Sequence, residues 1–283
     1  MIKVGAHVSI AGGVEKSPKN AAEIDCECFQ IFTRSPRGGK RKEVDKEKFF
    51  QECKKYGFNV GRDYIIHTPY YVNLASADQK IFNNSIRVLR EELEVANQIK
   101  CPYVITHLGS SRDLDKNKYQ KQIQEKILEG LTAIHQDYQG KALLVLEIAA
   151  GSGNIVGDNL EDFNFFFKKA LDNSVQLGFC FDTCHAFSAG CDLRTPNDVE
   201  ETFQKIDDQI GLANLKCIHF NDSKADFNSH IDRHEHIGEG KIGKNGMKAV
   251  AQKAQQLEAN LYLETKHDKI IEDLKRTGNF LDK

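Results

Sequence analysis

Between residues 143 and 182 two similar runs occur, Leu143-Leu144-Val145-Leu146-Glu147 and Leu177-Gly178-Phe179-Cys180-Phe181-Asp182. Each is short, almost continuously apolar and closes on a carboxylate. A polar turn and an amphipathic stretch lie between them. Runs of this length and continuity read as parallel strands buried on both faces. Working outward, six more runs follow the same rhythm, ending near His7 (KVGAH), Thr33 (CFQIFT), His67 (YIIH), His107 (YVITH), His219 (KCIHF) and Glu264 (LYLE). The segments between them read as helices. Ile81, Ile86, Leu89, Leu93 and Ala96 share one face of one, and Tyr119, Ile123, Ile127, Leu131 and Ile134 share a face of the next. Thr195-Pro196 offers a capping hydroxyl and a proline at the first helical position. Eight strand–helix units without a linker predict an α/β protein, a (β/α)8 TIM barrel forming one domain over residues 1–283, with a doubly wound sheet as the structural alternative. Gly151 to Gly157 spaces its glycines one residue off a dinucleotide fingerprint and reads as a flexible loop.

The composition agrees. Of 283 residues, 40% are hydrophobic and 28% charged, which excludes a disordered chain. No apolar run approaches the ~20 residues that span a bilayer, so no membrane partner is expected. The N-terminal residues read as a strand rather than a leader. Eight cysteines without a CxxC pair are expected to be buried, reduced thiols of a cytoplasmic protein. A formal charge of −2 argues against a protein that coats nucleic acid, but not against a local basic patch.

In such a barrel the C-terminal strand ends converge on one mouth. Six of them carry a metal-ligand type: His67, His107, Glu147, Asp182, His219 and Glu264. So many carboxylates and imidazoles at one end would repel or lose their charge, and bound cations resolve this. The loops add three more. His185 follows Asp182 by a short turn. Asp232-Arg233-His234 sits in a long segment, Asn221 to Gly246, that is poor in apolar residues and interrupts the rhythm. Nine nitrogen and oxygen ligands with no evident thiolate suit zinc, with manganese or iron compatible, and are too many for one tetrahedral ion. Two or three ions are implied. His135 reads as a helix residue and His7 as a supporting or packing group, while His230, His236 and His267 flank the candidates and are not separated from them by sequence. A polymetal centre with bridging carboxylates fits phosphoester hydrolysis.

The motifs resemble the endonuclease IV family of apurinic/apyrimidinic (AP) endonucleases along essentially the whole chain. They are GAHVS at 5–9, HTPYYVN at 67–73, THLGS at 106–110, LEIAAGSG at 146–153, FDTCHAFSAG at 181–190, HFNDSK at 219–224, DRHEHIGEG at 232–240 and LET at 263–265. The resemblance implies three zinc ions and cleavage of double-stranded DNA on the 5′ side of abasic sites. It gives the first ion His67, His107 and Glu147, and the second Glu147 as a bridge with Asp182, His219 and Glu264. The third takes His185, Asp232 and His234. In-line attack of a hydroxide on phosphorus would leave a 3′-hydroxyl and a 5′-deoxyribose phosphate, and Glu147 is the catalytic bridge. A 3′-phosphodiesterase or 3′-exonuclease side activity is compatible with the same centre.

Residues 33–42 place five basic groups in the loop after the second strand, where it would open on the mouth. By resemblance, Arg37 is the candidate to probe the base stack, and Tyr70 and Asn73 to contact DNA near the lesion. Two positions depart from the commonest family pattern: Gly39 stands where the loop often carries Trp, and Lys266 where Pro is usual. The competing functional readings are a sugar isomerase or epimerase on the same barrel and a non-catalytic binder of damaged DNA. A monomer is expected, since no spare hydrophobic face is evident.

Overall fold

The computed structural model describes residues 2–36, 38, 43–112 and 114–281. Its strands are β1 (Val4–His7), β2 (Cys28–Ile31), β3 (Tyr64–His67), β4 (Tyr103–Thr106), β5 (Leu143–Glu147), β6 (Leu177–Asp182), β7 (Leu215–His219), the two-residue β8 (Asp222–Ser223) and β9 (His234–Glu235), and β10 (Asn260–Leu263). All but β8 and β9 are parallel and close into a barrel in the order β1-β10-β7-β6-β5-β4-β3-β2. The helices are α1 (Ser17–Ala22), α2 (Lys46–Lys55), α3 (Gln79–Gln98), α4 (Gln120–His135), α5 (Leu160–Asp172), α6 (Thr183–Ser188), α7 (Pro196–Gln209), α8 (Gly243–Gln256) and α9 (Ile270–Gly278). They alternate with the barrel strands, as expected for a (β/α)8 fold and not for a doubly wound sheet. Among the described residues no helix is long and apolar enough to cross a membrane.

The helical period is legible in the sequence, and its phase only partly so. In α4, Ile123, Ile127, Leu131 and Ile134 are buried, while Tyr119 lies at the N-cap. In α3 the buried stripe runs through Phe82, Val88, Leu89, Leu93 and Ala96, leaving Ile81 and Ile86 half-buried. Phe82 displaces Ile81 because it carries more apolar surface to bury, at about 25 cal/mol per Å². Thr195 caps α7 reciprocally with Asp198. The loop from Gly151 to Gly157 is pinned rather than free. Val156 N donates to Gly109 O at 2.9 Å, Ser111 N to Asn154 O at 3.0 Å and Ala149 N to Gly157 O at 2.8 Å.

Side chains alternate along a strand, and this rule sorts the barrel. Cys28, Ile65, Ile105, Val145, Cys180, Cys217 and Tyr262 form one buried cluster that plugs the lumen. The outward-facing Phe29, Ile66, Val104, Leu144, Phe179 and Ile218 belong instead to the layer beneath the helices. On β1 the lumen position is Gly5, where an added Cβ would lie 1.6 Å from the Cys28 carbonyl oxygen. All eight cysteines are free thiols, seven of them buried. Burial pushes Cys26, Cys53 and Cys101 up to about 12, so these are packing groups rather than nucleophiles.

Candidate metal centre

Two residues beyond each member of the lumen plug, the next inward position opens on the mouth. That step leads from Ile65 to His67, Ile105 to His107, Val145 to Glu147, Cys180 to Asp182, Cys217 to His219 and Tyr262 to Glu264. The six strand-end candidates are therefore the topmost lumen layer. The same step leads from Cys28 to Gln30, a buried residue that does not stand out among the ligand types because an amide is not a usual metal ligand.

Glu147 lies at the centre, fully buried. Its Oε2 faces His67 Nε2 at 2.9 Å and His107 Nε2 at 3.3 Å. Its Oε1 faces His219 Nδ1 at 2.8 Å and His185 Nδ1 at 3.3 Å. Around His219 Nδ1 also stand Glu264 Oε2 at 3.6 Å and Asp182 Oδ2 at 3.9 Å. A third group gathers at Asp232 Oδ1, which lies 3.3 Å from His185 Nε2 and 3.5 Å from His234 Nε2. Among the described residues five overlapping sets have donor atoms within 4.8 Å of one another, and three of them match the expected ones: His67, His107 and Glu147; Glu147, Asp182, His219 and Glu264; and His185, Asp232 and His234. The other two are His67, His219 and Glu264, and Asp182, Cys184 and His234.

Local structure explains these aims. Asp182 is the N-cap of α6, where its Oδ1 accepts from His185 N at 2.8 Å, so one residue orients the other while Oδ2 stays toward the centre. Asp232 and His234 arrive on the segment after β7. That segment is not structureless: β8 and β9 pair as a hairpin, and Lys224 N donates to Arg233 O at 2.9 Å. Below it the buried Asp222 carboxylate accepts from the backbone N–H of Gly238, Gly240 and Ile242, each at 3.0 Å. Gly240 is required there, since an added Cβ would meet Ser223 O at 2.4 Å.

The electrostatics suit cations. Burial would raise the Glu147 pKa, but His107, His219 and His185 outweigh it and hold the carboxyl well below its usual range. Burial likewise opposes the ionisation of Glu264, yet His219 and its neighbours hold it down at about 2. Asp182 is pushed up by burial despite His185 and His234. His185 and His219 stand well above the ordinary value, because carboxylates outweigh the desolvation that opposes their charge. His107 falls to about 4, chiefly through burial. The donor set itself, five imidazoles and four carboxylates, fits borderline divalent ions such as zinc. Two imidazole nitrogens, His107 Nδ1 and His234 Nε2, are buried without a hydrogen-bond partner among the described residues.

The remaining histidines separate cleanly. His236 is held by Asp273, with Nδ1 2.7 Å from Oδ2. His230 Nδ1 lies 3.2 Å from Ala150 O, and His267 Nε2 3.1 Å from His7 O. His135 bonds back to Leu131 O within α4. His7 supports the centre, with Nδ1 3.0 Å from Gln30 Nε2.

Beside the mouth, Tyr70 is 72% exposed, its ring edge-on to Phe32 at 5.5 Å. Asn73 is buried in the wall below, where its Oδ1 accepts from Ser110 N at 3.0 Å and its Nδ2 donates to Ser110 O at 2.8 Å. Arg37, Gly39 and residues 40–42 lie outside the described residues. Arg34, counted in the basic run, does not face the mouth. It is 5% exposed and paired with Glu92 and with Glu91 at 2.9 Å. Its partners lie on α3, far away in sequence, so the run alone could not reveal them.

The chain matches the family described as "Xylose isomerase-like TIM barrel" over residues 18–282. It is 37% identical over 273 residues to the "Probable endonuclease 4" of Nitrosopumilus maritimus (strain SCM1), covering 94% of each chain. The crystal structure of endonuclease IV from Thermus thermophilus superposes with a TM-score of 0.84 at 29% identity, covering 98% of each chain. A D-tagatose 3-epimerase-like protein superposes at 0.71 with 20% identity, covering 98% of this chain and 95% of its own. That likeness concerns the fold alone.

Proposed function

The chain belongs to the endonuclease IV family of xylose isomerase-like TIM barrels, and from that premise we propose that it is a metal-dependent DNA-repair nuclease that hydrolyses the phosphodiester 5′ to abasic sites in duplex DNA. The observation that carries this reading is the placement of Glu147, whose two oxygens face two different donor sets. We assign three divalent ions, zinc in each case with manganese or iron compatible. The first is held by His67, His107 and Glu147, the second by Glu147, Asp182, His219 and Glu264, and the third by His185, Asp232 and His234. Ions bound there would supply an activated nucleophile near neutral pH, counter-charge for the phosphate and stabilisation of the leaving oxygen.

The chain's own residues provide the rest. A cavity of about 660 Å³ opens beside the centre, lined by Tyr70, Lys80, Arg112, His107 and Asp232 among others. It is large enough for a nucleotide. Lys80 and Arg112 are exposed cations at its rim, suited to backbone phosphates. Tyr70 offers an exposed aromatic ring toward DNA near the lesion, and Asn73 supports it by joining two loops beneath. Arg37 enters the reading as the probe of the base stack. The products are a 3′-hydroxyl and a 5′-deoxyribose phosphate, and a 3′-phosphodiesterase or 3′-exonuclease activity would draw on the same centre. A sugar isomerase on this barrel would have no use for the third set.

The test is metal analysis of the purified protein together with incision of a duplex carrying one tetrahydrofuran abasic analogue. About three zinc ions per chain and a single cut 5′ to the analogue are expected. Fewer than two bound ions together with an intact duplex would overturn the proposal.

A further inference from the structure

Three of the five imidazoles in the centre are steered from behind by backbone carbonyls. His67 Nδ1 lies 2.7 Å from Thr68 O, His185 Nδ1 3.0 Å from Ile148 O, and His234 Nδ1 3.4 Å from Glu264 O. In His67 and His234 this leaves Nε2 to face the centre; in His185 it leaves Nε2 to face Asp232, while Nδ1 also stands 3.3 Å from Glu147 Oε1. His219 is reversed. Its Nδ1 faces the carboxylates, and its Nε2 lies 2.7 Å from a side chain, Gln30 Oε1.

Gln30 is fully buried. Its Nε2 donates to Glu264 Oε1 at 2.6 Å and lies 3.0 Å from His7 Nδ1. These contacts leave the amide one orientation. An ionised carboxylate only accepts, so the amide nitrogen must face Glu264 and the amide oxygen must face His219. An oxygen there can only accept, so the Nε2 of His219 keeps its proton. Its Nδ1 is then the nitrogen free for an ion, 3.6 Å from Glu264 Oε2 and 3.9 Å from Asp182 Oδ2. By engaging Oε1, the same amide turns Oε2 of Glu264 toward that point.

We infer that Gln30 is the positioning residue of the second metal set: one buried amide fixes both the tautomer of His219 and the orientation of Glu264. It is not a ligand, and it acts through two groups assigned as ligands, so the inference rests on the metal reading above. Partners of this kind typically carry about 10–100-fold in metal affinity when removed. A backbone carbonyl cannot be removed by substitution, whereas Gln30 can; in the same set Asn221 Nδ2 supports Asp182, 2.8 Å from Oδ2, so Gln30 is the side chain behind His219 and Glu264 in particular.

The experiment is competition titration of the chelator-stripped protein with Zn²⁺ against a chromophoric indicator, for the wild type, Gln30→Leu and Gln30→Glu. Gln30→Leu deletes both hydrogen bonds, while Gln30→Glu keeps the shape and sets a carboxylate against Glu264, so it carries the test if the first variant does not fold. One of three zinc sites should weaken about 10–100-fold, the other two holding their affinity. Substitution with Co²⁺ should show the visible absorption of one site altered. Wild-type affinity at all three sites in the variants would overturn this inference alone, and so would an equal weakening of all three, which marks a merely structural role. A wild-type protein that takes up no zinc would overturn the metal reading and this inference with it.

Discussion

At Glu147 a single carboxylate is fully buried among four imidazoles, two on each oxygen. Removing its charge while keeping its shape separates chemistry from packing. Glu147→Gln should leave the fold intact by circular dichroism and lower incision of the abasic duplex by at least ~10²–10³-fold, the loss that follows removal of one key electrostatic group. Near-normal cleavage would sink the bridging role. The imidazoles make a second prediction at this scale. His185 and His219 hold protons in the metal-free protein because carboxylates outweigh their desolvation, and an ion must displace them. Zinc uptake at pH 7 should therefore release protons, seen as a calorimetric heat that changes with the ionisation enthalpy of the buffer. A buffer-independent heat would contradict it.

The segment after β7 shows what a single element can hide. Its length and polarity mark it as functional, yet its order comes from contacts that no local pattern announces. The Asp222 carboxylate gathers amides from Gly238, Gly240 and Ile242, and the β8–β9 hairpin presents His234. Asp222→Ala strips several buried N–H groups of their acceptor, each costing about 1–3 kcal/mol when unmet. A stability loss of about 2–4 kcal/mol in urea unfolding is expected from these unmet groups, with fewer zinc ions retained per chain. Unchanged stability would show that the loop is held some other way. The neighbouring elements show the same limit in the opposite direction: the basic run after β2 reads as opening on the mouth with all its cations, but Arg34 turns inward to Glu91 and Glu92 on α3.

Over the whole molecule, the titrating groups of the metal-free protein oppose one another across neutrality. His7 and His107 fall from 6.5 to about 4, mainly through burial, and Glu264 falls from 4.5 to about 2. Between those values the unfolded chain binds more protons than the folded one, so stability drops as pH falls below 6.5. His185 and His219 are raised well above 6.5, so their contribution is present below that value and is lost as pH climbs through their folded pKa. The melting temperature of chelator-treated protein should peak near about pH 6.5 and decline on both sides, while zinc should flatten the alkaline limb by replacing the protons. A stability that keeps rising above about pH 7.5 without metal would contradict this. The charge balance of 39 basic against 41 acidic residues hides the same opposition, because four of those carboxylates lie in the proposed metal centre.

What the sequence determined by itself was the barrel and the layer that carries the chemistry. Eight apolar runs with a fixed strand period oblige every second side chain to face the lumen, so a ligand type two residues beyond a lumen plug must reach the mouth. Periodicity is local, and it survives without knowledge of partners. The tertiary structure alone decided which oxygen of Glu147 serves which set, that His219 is reversed, and that Gln30 stands behind it. These depend on residues separated by 72 and 189 positions, brought within hydrogen-bond reach only when the barrel closes. The family motifs name the nine candidates, but the geometry that orients them is a property of the closed lumen, where a neutral amide at the same height as the ligand types becomes part of their support.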